Sequence, residues 1–289
     1  MKDYVLFTDS ATDLSVELIQ QMQVEVVPLS VTVAGKEYKN YPDNRDISPK
    51  EFYDLLRSGQ MATTSQVNQA DWAEAFESAL KEGKDVLCLA FSSGLSGTCQ
   101  AAVLAAEELR EKYPQNTIEV VDTLQASMGE GLVVYHAARL KQQGYTLPQL
   151  ARWLEENKQS ICAWFTVDDL MFLKRGGRVS GAAALAGTLL GIKPVLHVDA
   201  VGHLVPMEKV RGRRASLDAL VKRFAQSQVD KSQQVVFLSH SDCREDCDYV
   251  ANKIRAMGVE NIHISNIGPV IGAHTGPGAV ALFFSGDVR

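Results

Sequence analysis

Short apolar runs alternate with amphipathic stretches along most of this chain, and that alternation predicts an α/β protein. Tyr4–Thr8 reads as a first strand ending in the polar turn Asp9-Ser-Ala-Thr-Asp13, with a helix from about Leu14 to Met22 after it. Val24–Leu29 is a second strand, and Thr32–Tyr38 around Ala34-Gly35 a small hairpin. Ser48-Pro49-Lys50-Glu51 supplies a cap, a proline at the first helical position and a glutamate three residues on, so a helix runs from Pro49 to about Arg57. Ala62-Thr-Thr-Ser-Gln66 is a hydroxyl cluster outside any periodic element, and a helix follows from Gln69 to Lys81. The apolar run Val86–Phe91 suits a parallel strand covered on both faces. Thr98–Tyr113 sets Ala102, Val103, Ala106 and Leu109 against Glu107, Glu108, Arg110 and Glu111, as a surface helix does. Ile118–Val121 is a strand, Met128–Gln142 a helix and Pro148–Glu156 a shorter one.

Near Asn157–Ser160 the texture changes, which places a domain boundary there and divides the chain into residues 1–158 and 159–289. The second half opens with a strand, Ile161–Val167, a brief helix to Leu173 and the segment Lys174-Arg-Gly-Gly-Arg178. Ser180–Leu190 is a helix of small apolar residues, whose lack of bulk suits either tight packing or room for an apolar ligand. Ile192–Val198 and His203–Met207 pair across Asp199-Ala-Val-Gly202, and a helix from about Arg214 to Ser227 follows. Gln234–Ser239 and Asn261–Ile267 are strands around the helix Cys243–Met257. The Gly- and Pro-rich stretch from Gly268 to Gly278 reads as a loop before a last strand, Ala279–Phe284. Regular strand–helix alternation in the first half implies a mainly parallel sheet with helices on both faces, where ligands collect beyond the carboxyl ends of the strands. Ser92–Gly97 stands at such an end, a hydroxyl-rich loop opening a helix and suited to an anionic group.

Composition narrows the picture further. With 289 residues, 46% hydrophobic and 22% charged, the chain can bury a full core and fill two domains. A net charge of −6 argues against a nucleic-acid face spread over the molecule, and no apolar segment is long enough to span a membrane, so a cytoplasmic protein without integral membrane contact is expected. Five scattered cysteines read as reduced core thiols.

The candidate chemistry is sparse. His274, in the Gly-rich stretch before the last strand, could be paired with Ser96 as base and nucleophile, but Gly94-Leu-Ser-Gly-Thr98 lacks the second glycine of a nucleophile elbow at the required place. His240, Cys243 and Cys247 lack a fourth partner for a zinc site. No Walker or dinucleotide-binding pattern occurs, so no cofactor is expected. Cations cluster at Lys174, Arg175 and Arg178, and again at Lys209, Arg211, Arg213 and Arg214.

Taken in order, Asp9-Ser-Ala-Thr-Asp13, Thr63-Thr-Ser-Gln66, Ser92-Ser-Gly-Leu-Ser-Gly-Thr98, Leu173-Lys-Arg-Gly-Gly-Arg178, Lys209-Val-Arg-Gly-Arg213 and Gly272-Ala-His-Thr-Gly-Pro-Gly278 resemble the DegV family from end to end. The resemblance implies a two-domain α/β fold: a parallel three-layer α/β/α N-terminal domain and a two-layer mixed-sheet α/β C-terminal domain. It implies a bound long-chain fatty acid, its carboxylate held by Thr64 and Ser96; Thr63, Ser65, Arg175, His274 and Thr275 are the further candidates for the same site, with the choice between Arg175 and Arg178 as the inward-facing cation left open. It further implies a lipid carrier without catalytic residues of its own, serving an ATP-dependent kinase subunit that makes an acyl phosphate and exchanging lipid transiently with membranes. Arg211, Arg213 and Arg214 are then expected to meet that partner or the phosphate. A self-sufficient serine hydrolase acting on acyl esters is the competing expectation.

Overall fold

The computed structural model describes residues 2–179 and 191–286. Its first sheet is wholly parallel. β1 (Tyr4–Asp9), β2 (Val24–Val27), β6 (Asp85–Ala90) and β7 (Ile118–Asp122) lie in the order β2-β1-β6-β7. Every residue of β6 is buried, as a central parallel strand with helices on both faces requires. On one face pack α3 (Gln69–Lys81) and α4 (Thr98–Lys112); on the other pack α1 (Val16–Met22), α5 (Met128–Gln142) and α6 (Leu147–Asn157).

A second, mixed sheet is built from residues beyond 160. It comprises β8 (Ile161–Thr166), β9 (Ile192–Val198), β10 (Leu204–Arg211), β11 (Val235–His240), β12 (Asn261–Asn266) and β13 (Val280–Ser285) in the order β10-β9-β8-β13-β11-β12. Only β11 and β12 run parallel. Helices α8 (Arg213–Gln226) and α9 (Arg244–Arg255) cover its outer face, whereas its inner face meets α5. Because α5 lies between two sheets it is buried on most sides, and glycines permit the approach: a Cβ on Gly129 would stand 2.7 Å from the Phe283 ring. One apolar core therefore runs through the parallel sheet and α5 into the mixed sheet, and a second fills the space beneath α8 and α9.

Four expectations change. Ala62–Ser65, expected outside any periodic element, is strand β5, antiparallel to β3 (Ser30–Val33), which also pairs with β4 (Lys36–Lys39). Backbone pairing with β3 supplies the order that the hydroxyl-rich sequence concealed. The stretch taken as a terminal loop contains α10 (Pro269–Thr275), started by Pro269 at its first position and packed on β3, β5 and α2 (Pro49–Arg57). Helix α7 (Met171–Gly176) continues past Leu173 until Gly177 ends it in the left-handed conformation. Strand β10, expected to end at Met207, runs on to Arg211, so Lys209 and Arg211 belong to a sheet edge. The small-residue helix expected at Ser180–Leu190 lies outside the described residues.

Candidate functional site

β5, the loop between β6 and α4, the end of α7 and α10 surround a cavity of about 140 Å³. Strand alternation exposes Thr63 and Ser65 and turns Thr64 inward, where its Oγ1 lies 2.8 Å from His274 Nε2. His274 rides on the last turn of α10. Burial, and secondarily the nearby Arg178 guanidinium, pushes its pKa down to about 4, so the ring is neutral at ordinary pH. Its Nδ1 is buried and has no hydrogen-bond partner, with the backbone of Gly176 pressed so close that a Cβ there would overlap it. A proton on Nδ1 would be a stranded donor, so the favoured tautomer carries it on Nε2 and donates to Thr64. The Thr64 hydroxyl proton is then free to point into the cavity.

The β6–α4 loop brings Ser96. Ser92 closes its first turn, its carbonyl accepting from Leu95 N and Ser96 N at 3.0 and 3.1 Å. Ser96 Oγ pairs with Thr98 Oγ1 at 2.9 Å and accepts from Thr98 N. Arg178 donates from Nε to the Leu95 carbonyl at 3.2 Å, tying the segment after α7 to this loop. Thr64, Gln66, Ser96, Arg178 and His274 contribute polar wall to the cavity, and Ser65 and Thr275 also line it, as do Leu29, Phe91, Leu173, Val270 and Ile271.

Two further spaces adjoin it. An almost wholly apolar cavity of about 50 Å³ lies against the mixed sheet, lined by Phe165, Val198, Ile267 and Phe283, and it shares Ala126, Leu204, Ile271 and Thr275 with the first. On the other side an open cleft of about 240 Å³ is bordered by Met61, Thr63, Phe172 and Arg175. Thr64, Arg178 and His274 line both the inner cavity and this cleft and so form the partition between them. Arg175, expected at the head group, sits in the outer cleft: its side chain folds back on α7, donating to the Met171 carbonyl and lying over the Phe172 ring. Thr63 borders the cleft as well.

A profile described as "Uncharacterised protein, DegV family" matches residues 4–287. The chain belongs to the DegV family. It is 45% identical over 290 residues to the DegV domain-containing protein CPE0026 of Clostridium perfringens, covering 100% of this chain and 99% of that protein. Among solved structures, a fatty-acid-binding DegV-family protein from Thermus thermophilus superposes with a TM-score of 0.89 at 34% identity, covering 99% of this chain and 100% of the other. DegV of Bacillus subtilis, a fatty acid binding protein, matches with a TM-score of 0.85 at 28% identity, covering 99% and 100%. These likenesses and the two sheets establish the two-domain DegV fold.

In this DegV chain the second cationic cluster does not line the cavity. Arg213 is held by Asp246 at 2.8 Å, with Asp168 at 3.7 Å, and Arg214 lies over the Tyr249 ring; Arg211 is exposed at the end of β10. The hydrolase reading gains no geometry, since Ser96 is hydrogen-bonded to Thr98 and His274 to Thr64. Among the described residues no three His, Cys, Asp or Glu side chains are grouped to hold a metal ion, and no helix is long and apolar enough to cross a membrane. Sequence reasoning missed the apolar wall residues Ala126, Leu204 and Ile271, which come from three separate parts of the chain and carry no local signal beyond being core-like.

Proposed function

We propose that this chain binds a long-chain fatty acid, with the carboxylate held by Thr64, Ser96 and Arg178 against neutral His274 and the acyl chain leading into the apolar cavity under the mixed sheet. The observation that carries the reading is the Thr64–His274 pair at one side of a cavity whose other side shares its wall with an apolar one. A buried carboxylate without partners would cost several kcal/mol, and these groups offer the needed donors: two hydroxyls and a guanidinium. Ser65 and Thr275 supply further polar wall, while Thr63 and Arg175 face the outer cleft, where a reacting group would arrive. These two cavities are smaller than the ~300–1,000 Å³ of ordinary ligand pockets, so a bound acyl chain would require Leu204 and Ile271, which line both, to move apart. The fatty-acid-binding relatives from Thermus thermophilus and Bacillus subtilis support the ligand class.

In this reading the protein is a cytoplasmic carrier of two domains, 1–158 and 159–289, that needs no cofactor and presents the carboxylate to an ATP-dependent kinase subunit. Arg211, Arg213 and Arg214 serve that partner or the phosphate. Mass spectrometry of the ligand released by denaturing the purified protein tests the binding step: an intact fatty acid near one per chain is expected, and turnover of activated esters without bound lipid would overturn it. Arg211 and Arg214 are the cleaner probes of docking, because Arg213 is engaged by acidic neighbours. Replacing both with alanine should leave lipid binding near parental and sharply reduce acyl-phosphate formation with the kinase subunit; parental rates would place docking elsewhere.

A further inference from the structure

We infer that Ser92 is a positioning residue for Ser96, acting through a latch between the β6–α4 loop and the β9–β10 turn, Asp199–Gly202. Ser92 is fully buried. Its carbonyl receives the amides of Leu95 and Ser96, and its hydroxyl accepts from Gly94 N at 3.2 Å while donating to the Gly202 carbonyl at 3.0 Å. A hydroxyl has one proton, so the donation goes to the hairpin from the other half of the chain. Glycines on both sides make the contact. A Cβ on Gly94 would stand 2.8 Å from the Val201 carbonyl oxygen, and one on Gly202, at φ +79°, would overlap Ser92 Oγ.

The turn is itself braced. Asp199 Oδ1 accepts from Val201 N and His203 N at 3.0 and 2.9 Å, Gly202 N donates to the Asp199 carbonyl, and Gln159 Nε2 donates to the Ala200 carbonyl at 2.8 Å. Two residues beyond the latch, Leu204 lines both the head-group cavity and the apolar one. The Ser92–Gly202 hydrogen bond thus joins the loop that offers Ser96 to the hairpin that narrows the way for the acyl chain. Loss of the Ser92 hydroxyl would leave the Gly94 amide and the Gly202 carbonyl unpaired and release the loop from the hairpin.

The inference rests on the fatty-acid reading, and the test separates the two. Binding of the fluorescent fatty acid cis-parinaric acid is measured for the parental chain, Ser92→Ala, Gly202→Ala and their combination, with amide hydrogen exchange of Leu95 and Ser96 followed in each lipid-free protein. Ser92→Ala should bind about tenfold more weakly, the worth of one positioning hydrogen bond, Gly202→Ala at least as weakly because its methyl group displaces the Ser92 hydroxyl and strains the turn, and the double variant no more weakly than Gly202→Ala. Exchange at Leu95 and Ser96 should quicken while that of β1 and β6 stays parental. Parental affinity with unaltered exchange in Ser92→Ala, or losses that multiply in the double variant, would overturn the latch. Should Ser92→Ala fail to fold, Gly202→Ala tests the same contact from the hairpin side. A parental chain that ignores the probe would sink the fatty-acid reading, and the exchange rates would still decide the latch.

Discussion

His274 sets the electrostatics of the proposed head-group site, because a buried neutral imidazole leaves Arg178 as the cation beside Thr64 and Ser96. An NMR titration of the ring should find it neutral down to about pH 4, and a midpoint near the ordinary 6.5 would refute the burial argument. Ser96→Ala should weaken fatty-acid binding several-fold, since one donor to a charged group contributes roughly 1.5–3 kcal/mol at most and Thr98 stands beside it to compensate in part; unchanged affinity in a fluorescence titration would remove Ser96 from the site. Thr64, Ser96 and His274, far apart in sequence, were legible because hydroxyl-rich and glycine-rich segments stand out from core periodicity. The choice between Arg175 and Arg178 was not. It depends on α7 running one turn further than its apolar pattern indicates, so that Arg175 folds over Phe172 and Arg178, past the left-handed Gly177, turns toward Leu95.

Elements with strong end signals were readable from the chain alone. Ser48 and Glu51 form the capping box expected at α2, and α3 and α5 keep the boundaries that periodicity assigned. The elements that were missed are short and derive their order from neighbours. β5 exists because β3 pairs with it, and α10, seven residues with a glycine in the middle, is held by packing on α2. Gly272 is what permits that packing: a Cβ there would overlap the Tyr53 hydroxyl, which donates to the Ile267 carbonyl at 2.8 Å, and would stand 3.0 Å from the Phe52 ring. Gly272→Ala should therefore cost about 1–3 kcal/mol in chemical denaturation through overpacking. Because His274 lies two residues on, fatty-acid affinity should fall with it. Parental stability in this variant would mean that α10 shifts freely, and the placement of His274 would lose its support.

For the whole molecule, the junction of the two halves contains three carboxyl groups that no cation neutralises by ion pairing among the described residues. Asp9 accepts from Ala11 N and Phe91 N, Asp13 from Ser127 Oγ and from Gly268 N across the junction, and Glu130 on α5 meets Thr8. Burial raises the pKa of Asp9 and Asp13 from 3.8 to about 7, and burial followed by repulsion from Asp9 pushes Glu130 well above its ordinary 4.5. The Thr8 hydroxyl, at 3.1 Å from the Glu130 carboxyl, also donates to the Leu89 carbonyl at 2.8 Å, so its single shared proton offsets little of that burial. A raised carboxyl pKa stabilises the fold fully below the unfolded value, and this stability is lost as pH rises toward the folded one. His136 and His274, both lowered to about 4, and His240 and His263, which burial also lowers, act in the opposite sense, adding stability as pH climbs toward 6.5. Over that range the slopes largely offset each other. Above pH 6.5 the histidines no longer contribute, and Glu130 continues to lose about 1.4 kcal/mol per pH unit for its unmatched proton until it ionises in the fold. The unfolding midpoint should accordingly be nearly level from pH 5 to 6.5 and fall as pH rises above 7. Glu130→Gln, an uncharged side chain of the same shape, should flatten the alkaline limb; a midpoint in the parental protein that holds steady as pH rises above 7 would show that Glu130 is already ionised at neutral pH and that burial does not raise it.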